Sequence, residues 1–186
     1  FRSDGNPEPV FFSDATNVGD PTDSKRAYGY CGMFMGGPVI AVAKKLEHCS
    51  SSTSANEYMA MAHAIKNAIW LRQLLQEMKL GDIVSKPTRL LADNNTANGW
   101  AGDQMFKVSN GNMWILQSFH YAREMCQTGH IAVEYVNTRY NISDLFTKGV
   151  SKETFQALEG FLLGREPLSK LFEAISKQME QGTEGT

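Results

Sequence analysis

Four carboxylates stand out in this 186-residue sequence by where they fall: Asp14 in VFFSDAT, Glu57 in SANEYMAM, Asp93 in RLLADNNTA and Asp144 in NISDLFTK. Each closes an apolar run or opens a helical one, the positions from which a sheet can bring distant residues together. Acids gathered at one sheet end repel one another and hold on to their protons unless cations neutralise them. Divalent ions on oxygen ligands provide that neutralisation. Two such ions at one site hydrolyse phosphodiesters by activating a water and stabilising the leaving oxygen.

The pattern between the acids predicts the elements that must position them. VFFSDA reads as a strand over 10–15, followed by a polar turn over 16–26. Residues 28–35 and 39–43 read as two more strands around a Gly36-Gly37-Pro38 turn, an antiparallel meander. A serine-rich loop leads into a helix over about 55–79, where positions 57, 61, 64, 68, 71 and 75 follow the helical period and Glu57 heads an otherwise apolar stripe. A strand over 88–92 ends at Asp93-Asn94-Asn95. Helices over about 95–101 and 110–127 follow, then a strand over 130–136 and a helix opened by Ile142 that carries Asp144. Helices over 151–163 and from Pro167 onward complete the chain.

The order β-β-β-α-β-α-α-β-α predicts an α/β fold: a mixed five-stranded sheet, three antiparallel strands and then parallel ones, with helices on both faces. Residues 1–8 read as a linker or cut edge, 9–164 as one domain, and 165–186 as a C-terminal helix with a disordered tail, QGTEGT.

Composition fits a soluble globular chain, 42% apolar and 20% charged. No run approaches the roughly 18 apolar residues of a membrane span, and no charged-then-apolar start marks a secretory signal. Cys31, Cys49 and Cys126 are scattered, without CxxC or Cys/His spacing, which argues against a disulfide framework or a zinc site and for a reducing, intracellular setting. A net charge of −2 argues against an obvious nucleic-acid binder, although Lys25–Arg26 and Lys44–Lys45 could form a local basic stripe.

Each acid also has a purely structural explanation. Asp14 suits a turn. Ser54-x-x-Glu57 reads as a capping box, with Glu57 bonding back to its cap. Asp93 suits a helix N-cap, and Asp144 a first turn favoured by the helix dipole. If the first and fourth strands are neighbours, Asp14 and Asp93 lie side by side, and that convergence favours cations. Spacing alone leaves both explanations standing.

The strings FFSDAT, GYCGMFMGGPVI, AKKLEHCSSSTSANEYMAM, AIWLRQLLQEMKL, LLADNNTA, HYARE, EYVNTRYNISDLFTKGV and FQALEGFLLG, in that order, resemble the ribonuclease H domain of Ty1/copia-type LTR retrotransposon polyproteins. The resemblance covers about residues 9–164. It implies a ribonuclease H-like fold and hydrolysis of the RNA strand of RNA–DNA hybrids during reverse transcription. It further implies that Asp14, Glu57, Asp93 and Asp144 hold two Mg²⁺ ions, with Mn²⁺ able to substitute. Asp14 and Asp93 would then touch both ions, and Glu57 and Asp144 one each. The implied partner is the reverse transcriptase domain of the same polyprotein, in the cytoplasm within a virus-like particle or in the nucleus.

Departures from that family's pattern bear on activity. A stretch expected to hold Lys and His falls on Asn112-Met113-Trp114-Ile115, and FTKP becomes Phe146-Thr147-Lys148-Gly149. The loop after the last strand, over 137–141, lacks the histidine of cellular ribonucleases H, and Arg139 is the candidate to replace its charge. Ser13, Thr16, Asn17, Ser52, Asn94 and Asn95 carry small polar groups that could read a 2′-OH, or could serve turns and caps. Lys25, Arg26, Lys44, Lys45, Arg139 and Lys148 are candidate phosphate contacts or plain solvated cations.

Two rival functions remain at this level. One is a domain that keeps the fold but serves as a nucleic-acid-binding scaffold of the polymerase. The other is an integrase-like strand transferase, disfavoured because Glu57 comes second among the acids and no His/Cys module is present.

Overall fold

Six consecutive buried residues, VFFSDA, form β1 (Val10–Ala15), and a strand covered on both faces belongs at the centre of a sheet. In the computed structural model, which describes residues 7–16, 22, 25–46, 52–101 and 116–183, that is its place. The sheet order is β3-β2-β1-β4-β5. β2 (Ala27–Phe34) and β3 (Gly37–Lys45) form the antiparallel meander on one side of β1. β4 (Thr88–Ala92) and β5 (Ile131–Tyr135) run parallel to β1 on the other. The fold is the mixed five-stranded α/β sheet that the element order predicts.

Alternation along β1 divides the core into two. Phe11 and Ala15 pack with Tyr58, Met61, Ile65, Ala68 and Leu75 of α1 (Thr53–Glu77). Val10 and Phe12 pack on the opposite face with Ile142, with Leu158 of α5 (Lys152–Leu162), and with Leu168, Leu171 and Ile175 of α6 (Leu168–Thr183). Burying each Leu- or Ile-sized side chain contributes about 1.5–3 kcal/mol, so both helical layers hold the sheet firmly. The α6 layer is also pinned at its edge. Arg89 makes a two-pronged pair with Glu134 at 2.8 and 2.7 Å while its guanidinium lies 4.4 Å from the Phe172 ring centre.

Three local expectations are corrected. The hairpin between β2 and β3 turns at Met35 (φ 51) and Gly36 (φ 78), with Gly37 and Pro38 already in β3. A two-residue turn that matches the strand twist needs positive φ at both central residues, and it bends one position earlier than Gly36-Gly37-Pro38 suggests. Helix α1 is capped by Ser52, whose Oγ accepts from the Ala55 amide at 3.2 Å, so Ser54 lies inside the helix and the Ser54–Glu57 capping box does not form. Helix α6 continues to Thr183, into the segment expected to be a disordered tail.

A 3₁₀ turn over Gly81–Val84 leads into β4, and α2 (Asn95–Ala101) follows it directly. α3 (Leu116–Gln127) lies against α1 and leads to β5. A one-turn helix, α4 (Asp144–Thr147), then precedes α5. Asn17, His48, Cys49 and the stretch Asn112 to Ile115 fall outside the described residues. Among the described residues, no helix is long and apolar enough to cross a membrane.

Candidate active site

Because β1, β4 and β5 are parallel, their carboxyl ends share one edge of the sheet, the edge where open α/β sheets bind ligands. Ser13 pairs with Ala92 in register, so Asp14 and Asp93 emerge side by side at that edge. Asp144 arrives from below as the first residue of α4.

Two contacts set that docking. Asn141, fully buried, donates from Nδ2 to the Ser13 carbonyl at 3.1 Å, while its Oδ1 accepts from Ser143 Oγ at 2.5 Å. Gly29, the β2 residue opposite Asp14, leaves the room. A Cβ there would lie 2.6 Å from Phe146 Cβ and 2.9 Å from Thr147 Cγ2.

The result is a cluster. Asp14, Asp93 and Asp144 each offer a carboxylate oxygen, and these oxygens lie within 4.8 Å of one another. Asp14 and Asp144 are buried, and Asp93 is half-buried. Thr147 Oγ1 donates to Asp14 Oδ2, and Thr138 Oγ1 donates to Asp93 Oδ2 at 2.7 Å. Glu57 stands beside the trio and outside it. From the first turns of α1, its Oε2 accepts from the Ala15 amide at 2.9 Å.

The electrostatics follow from burial and like charge. Burial, then the charges of Asp14 and Asp93, pushes the Glu57 carboxyl up to about 9. Burial, then Asp14, pushes Asp144 up to about 7. Asp14 is raised chiefly by burial, although Thr147 and Lys148 pull it back. Lys148 supplies the compensating charge, its Nζ 3.0 Å from Asp144 Oδ1 and 3.6 Å from Asp14 Oδ2.

The donor set suits a divalent cation. All three converging ligands are hard oxygens, and the cluster has already drawn in an ammonium. The arrangement can thus hold a divalent metal at the sheet edge where the three acids converge.

No protein-family model matches the chain. In sequence it is 29% identical over 155 residues to the "Retrovirus-related Pol polyprotein from transposon TNT 1-94" of Nicotiana tabacum, an alignment covering 82% of this chain and 11% of that protein. The chain thus spans about a tenth of the length of the polyprotein it matches. Among solved structures, it superposes on RNase H1 from Halobacterium salinarum with a TM-score of 0.52 at 17% identity, covering 75% of this chain and 94% of that one. It also superposes on LC11-RNase H1 in complex with an RNA/DNA hybrid, with a TM-score of 0.54 at 11% identity, covering 75% and 94%. The chain has the ribonuclease H fold and is homologous to part of a retrovirus-related Pol polyprotein.

Within this ribonuclease H-like domain, the other residues singled out from sequence divide by position. Thr16 follows β1, Asn94 and Asn95 open α2, and Arg139 is exposed in the 3₁₀ turn whose Thr138 holds Asp93. All four lie at the carboxyl rim beside the acids. Ser13 is buried, and strand alternation turns it to the α1 face, opposite Asp14. Lys148 is a correction, since it is committed to Asp14 and Asp144 rather than being a free phosphate contact.

Sequence reasoning missed Thr138, Asn141, Thr147 and Gly29. Only Thr147 left a usable signal, because three residues after Asp144 it shares that helix face.

Proposed function

We propose that this chain is the ribonuclease H domain of a Ty1/copia-type retrotransposon polyprotein. In this reading it hydrolyses the RNA strand of RNA–DNA hybrids with two divalent cations, Mg²⁺ or Mn²⁺. The observation that carries the proposal is the convergence of Asp14, Asp93 and Asp144 to within 4.8 Å, with Glu57 held alongside by the Ala15 amide. Homology to a Pol polyprotein and the ribonuclease H fold support it.

Asp14, Asp93, Asp144 and Glu57 would hold the ions. When bound, such ions supply a water of lowered pKa and neutralise charge on the leaving 3′ oxygen. The chain's own groups do the positioning. Thr138 fixes the rotamer of Asp93, and Asn141 ties the loop before Asp144 to the strand that carries Asp14. Thr16, Asn94, Asn95 and Arg139 line the rim where the hybrid would lie, small polar groups and one cation suited to a 2′-OH and a phosphate. The reverse transcriptase domain of the same polyprotein is the expected partner.

The test is incubation with an end-labelled RNA–DNA hybrid in Mg²⁺ or Mn²⁺, beside Asp93→Asn and EDTA controls. RNA cleavage that both controls abolish is the expected result. A folded protein that binds the hybrid yet cleaves nothing in either metal would overturn the enzymatic reading in favour of a scaffold.

A further inference from the structure

Lys148 sits among the acids of the candidate site. Its ammonium does not point away into water but bridges two of the three carboxylates, 3.0 Å from Asp144 Oδ1 and 3.6 Å from Asp14 Oδ2. Both partners are buried, at 1% and 2% exposure, so this is not a screened surface pair of little consequence. The lysine side chain is itself 37% exposed. It closes α4 with an extended backbone (φ −147, ψ 155), which leaves its long stem a path to solvent.

We infer that Lys148 is the resident counter-cation of this site: its ammonium stands in for metal on Asp14 and Asp144, and an entering divalent ion must displace it. The inference rests on the metal-dependent reading above and adds a residue that sets the metal concentration at which the site loads. Like charges repel, so an ammonium held at these oxygens and a divalent ion ligated by the same oxygens exclude each other. Without either cation, two buried carboxylates face each other and Asp93 uncompensated, which destabilises the fold. Lys148 therefore does two opposed things. It keeps the metal-free domain folded, and it weakens metal binding.

Calorimetric titration of Mn²⁺ and of Mg²⁺ into the whole chain, without nucleic acid and in mildly alkaline buffer, tests this in wild type, Lys148→Met and Lys148→Arg. Thermal unfolding in EDTA and in saturating metal accompanies it. The expected result is roughly tenfold tighter binding by Lys148→Met, equivalent to about 1.4 kcal/mol. That variant should melt lower than wild type in EDTA and match it in saturating metal, while Lys148→Arg stays near wild type in both. Equal or weaker binding by Lys148→Met overturns the inference and leaves the ribonuclease reading intact. Absence of metal binding in all three proteins overturns that reading as well.

Discussion

Glu57 Oε2 accepts the Ala15 amide at 2.9 Å, so the acid that heads α1 is fastened to the residue following Asp14. A glutamine can accept the same bond through its side-chain oxygen while bringing no buried charge. Glu57→Gln should therefore fold normally and melt higher than wild type in metal-free alkaline buffer. Its hydrolysis of a hybrid should fall by more than about 100-fold, beyond the 10- to 100-fold typical of groups one layer further from the metal. Parallel melting and cleavage assays separate the two effects.

The same burial makes the metal-free protein pH-sensitive, with a definite sign. Asp144 and Glu57 have folded-state values of about 7 and about 9, above those of the unfolded chain. Such groups favour folding fully below their unfolded values, and that contribution is lost as pH rises through the folded ones. Melting temperature in EDTA should decline from about pH 5 to about pH 9 and then level off as far as these two acids decide it. Saturating Mg²⁺ should flatten the decline, since bound metal replaces the proton. A melting temperature in EDTA that rises over this window would count against the buried cluster.

Gly29 is the point where β2 lets α4 approach the sheet. Any side chain there meets Phe146 Cβ at 2.6 Å, a distance at which one of the two must move. Gly29→Ala should cost about 1–3 kcal/mol, as for other additions to packed sites. Its larger effect should be on metal, because the displaced helix begins with Asp144. Reduced Mn²⁺ affinity in a variant still folded at low temperature is the expected outcome, and calorimetry beside circular dichroism measures both.

The six-residue strand that carries Asp14 and the five-residue strand ending before Asp93 are legible because apolar runs stop abruptly at polar pairs. Their parallel pairing, which sets the two acids together, was conditional on topology that local pattern does not contain. The cap of α1 falls at Ser52, two residues before the Ser54 of the expected box, because both serines lie in one serine-rich run and only the bond to Ala55 distinguishes them. Lys148 was visible as the fourth residue after Asp144, yet a lysine there reads equally as a solvated cation until Asp14 is known to lie above it. Thr138 was beyond reach, since nothing local links it to Asp93, 45 positions earlier.

Asn141 offers the sharpest test of positioning, because its bond to the Ser13 carbonyl joins residues 128 positions apart. Its two side-chain ends do separate work: the amide holds β1, and the oxygen holds Ser143, immediately before Asp144. Asn141→Ala removes both and leaves buried polar groups without partners, which should cost about 1–3 kcal/mol. Asp14 and Asp144 would stay in the protein while losing the tie that sets their spacing. Metal affinity should fall by about 10- to 100-fold, and high Mg²⁺ should restore much of the cleavage. Asp93→Asn, which alters a ligand itself, should show no such recovery. If Asn141→Ala lost stability but kept wild-type metal affinity, the spacing of Asp14 and Asp144 would be set by other contacts, chiefly the Thr147 hydroxyl on Asp14.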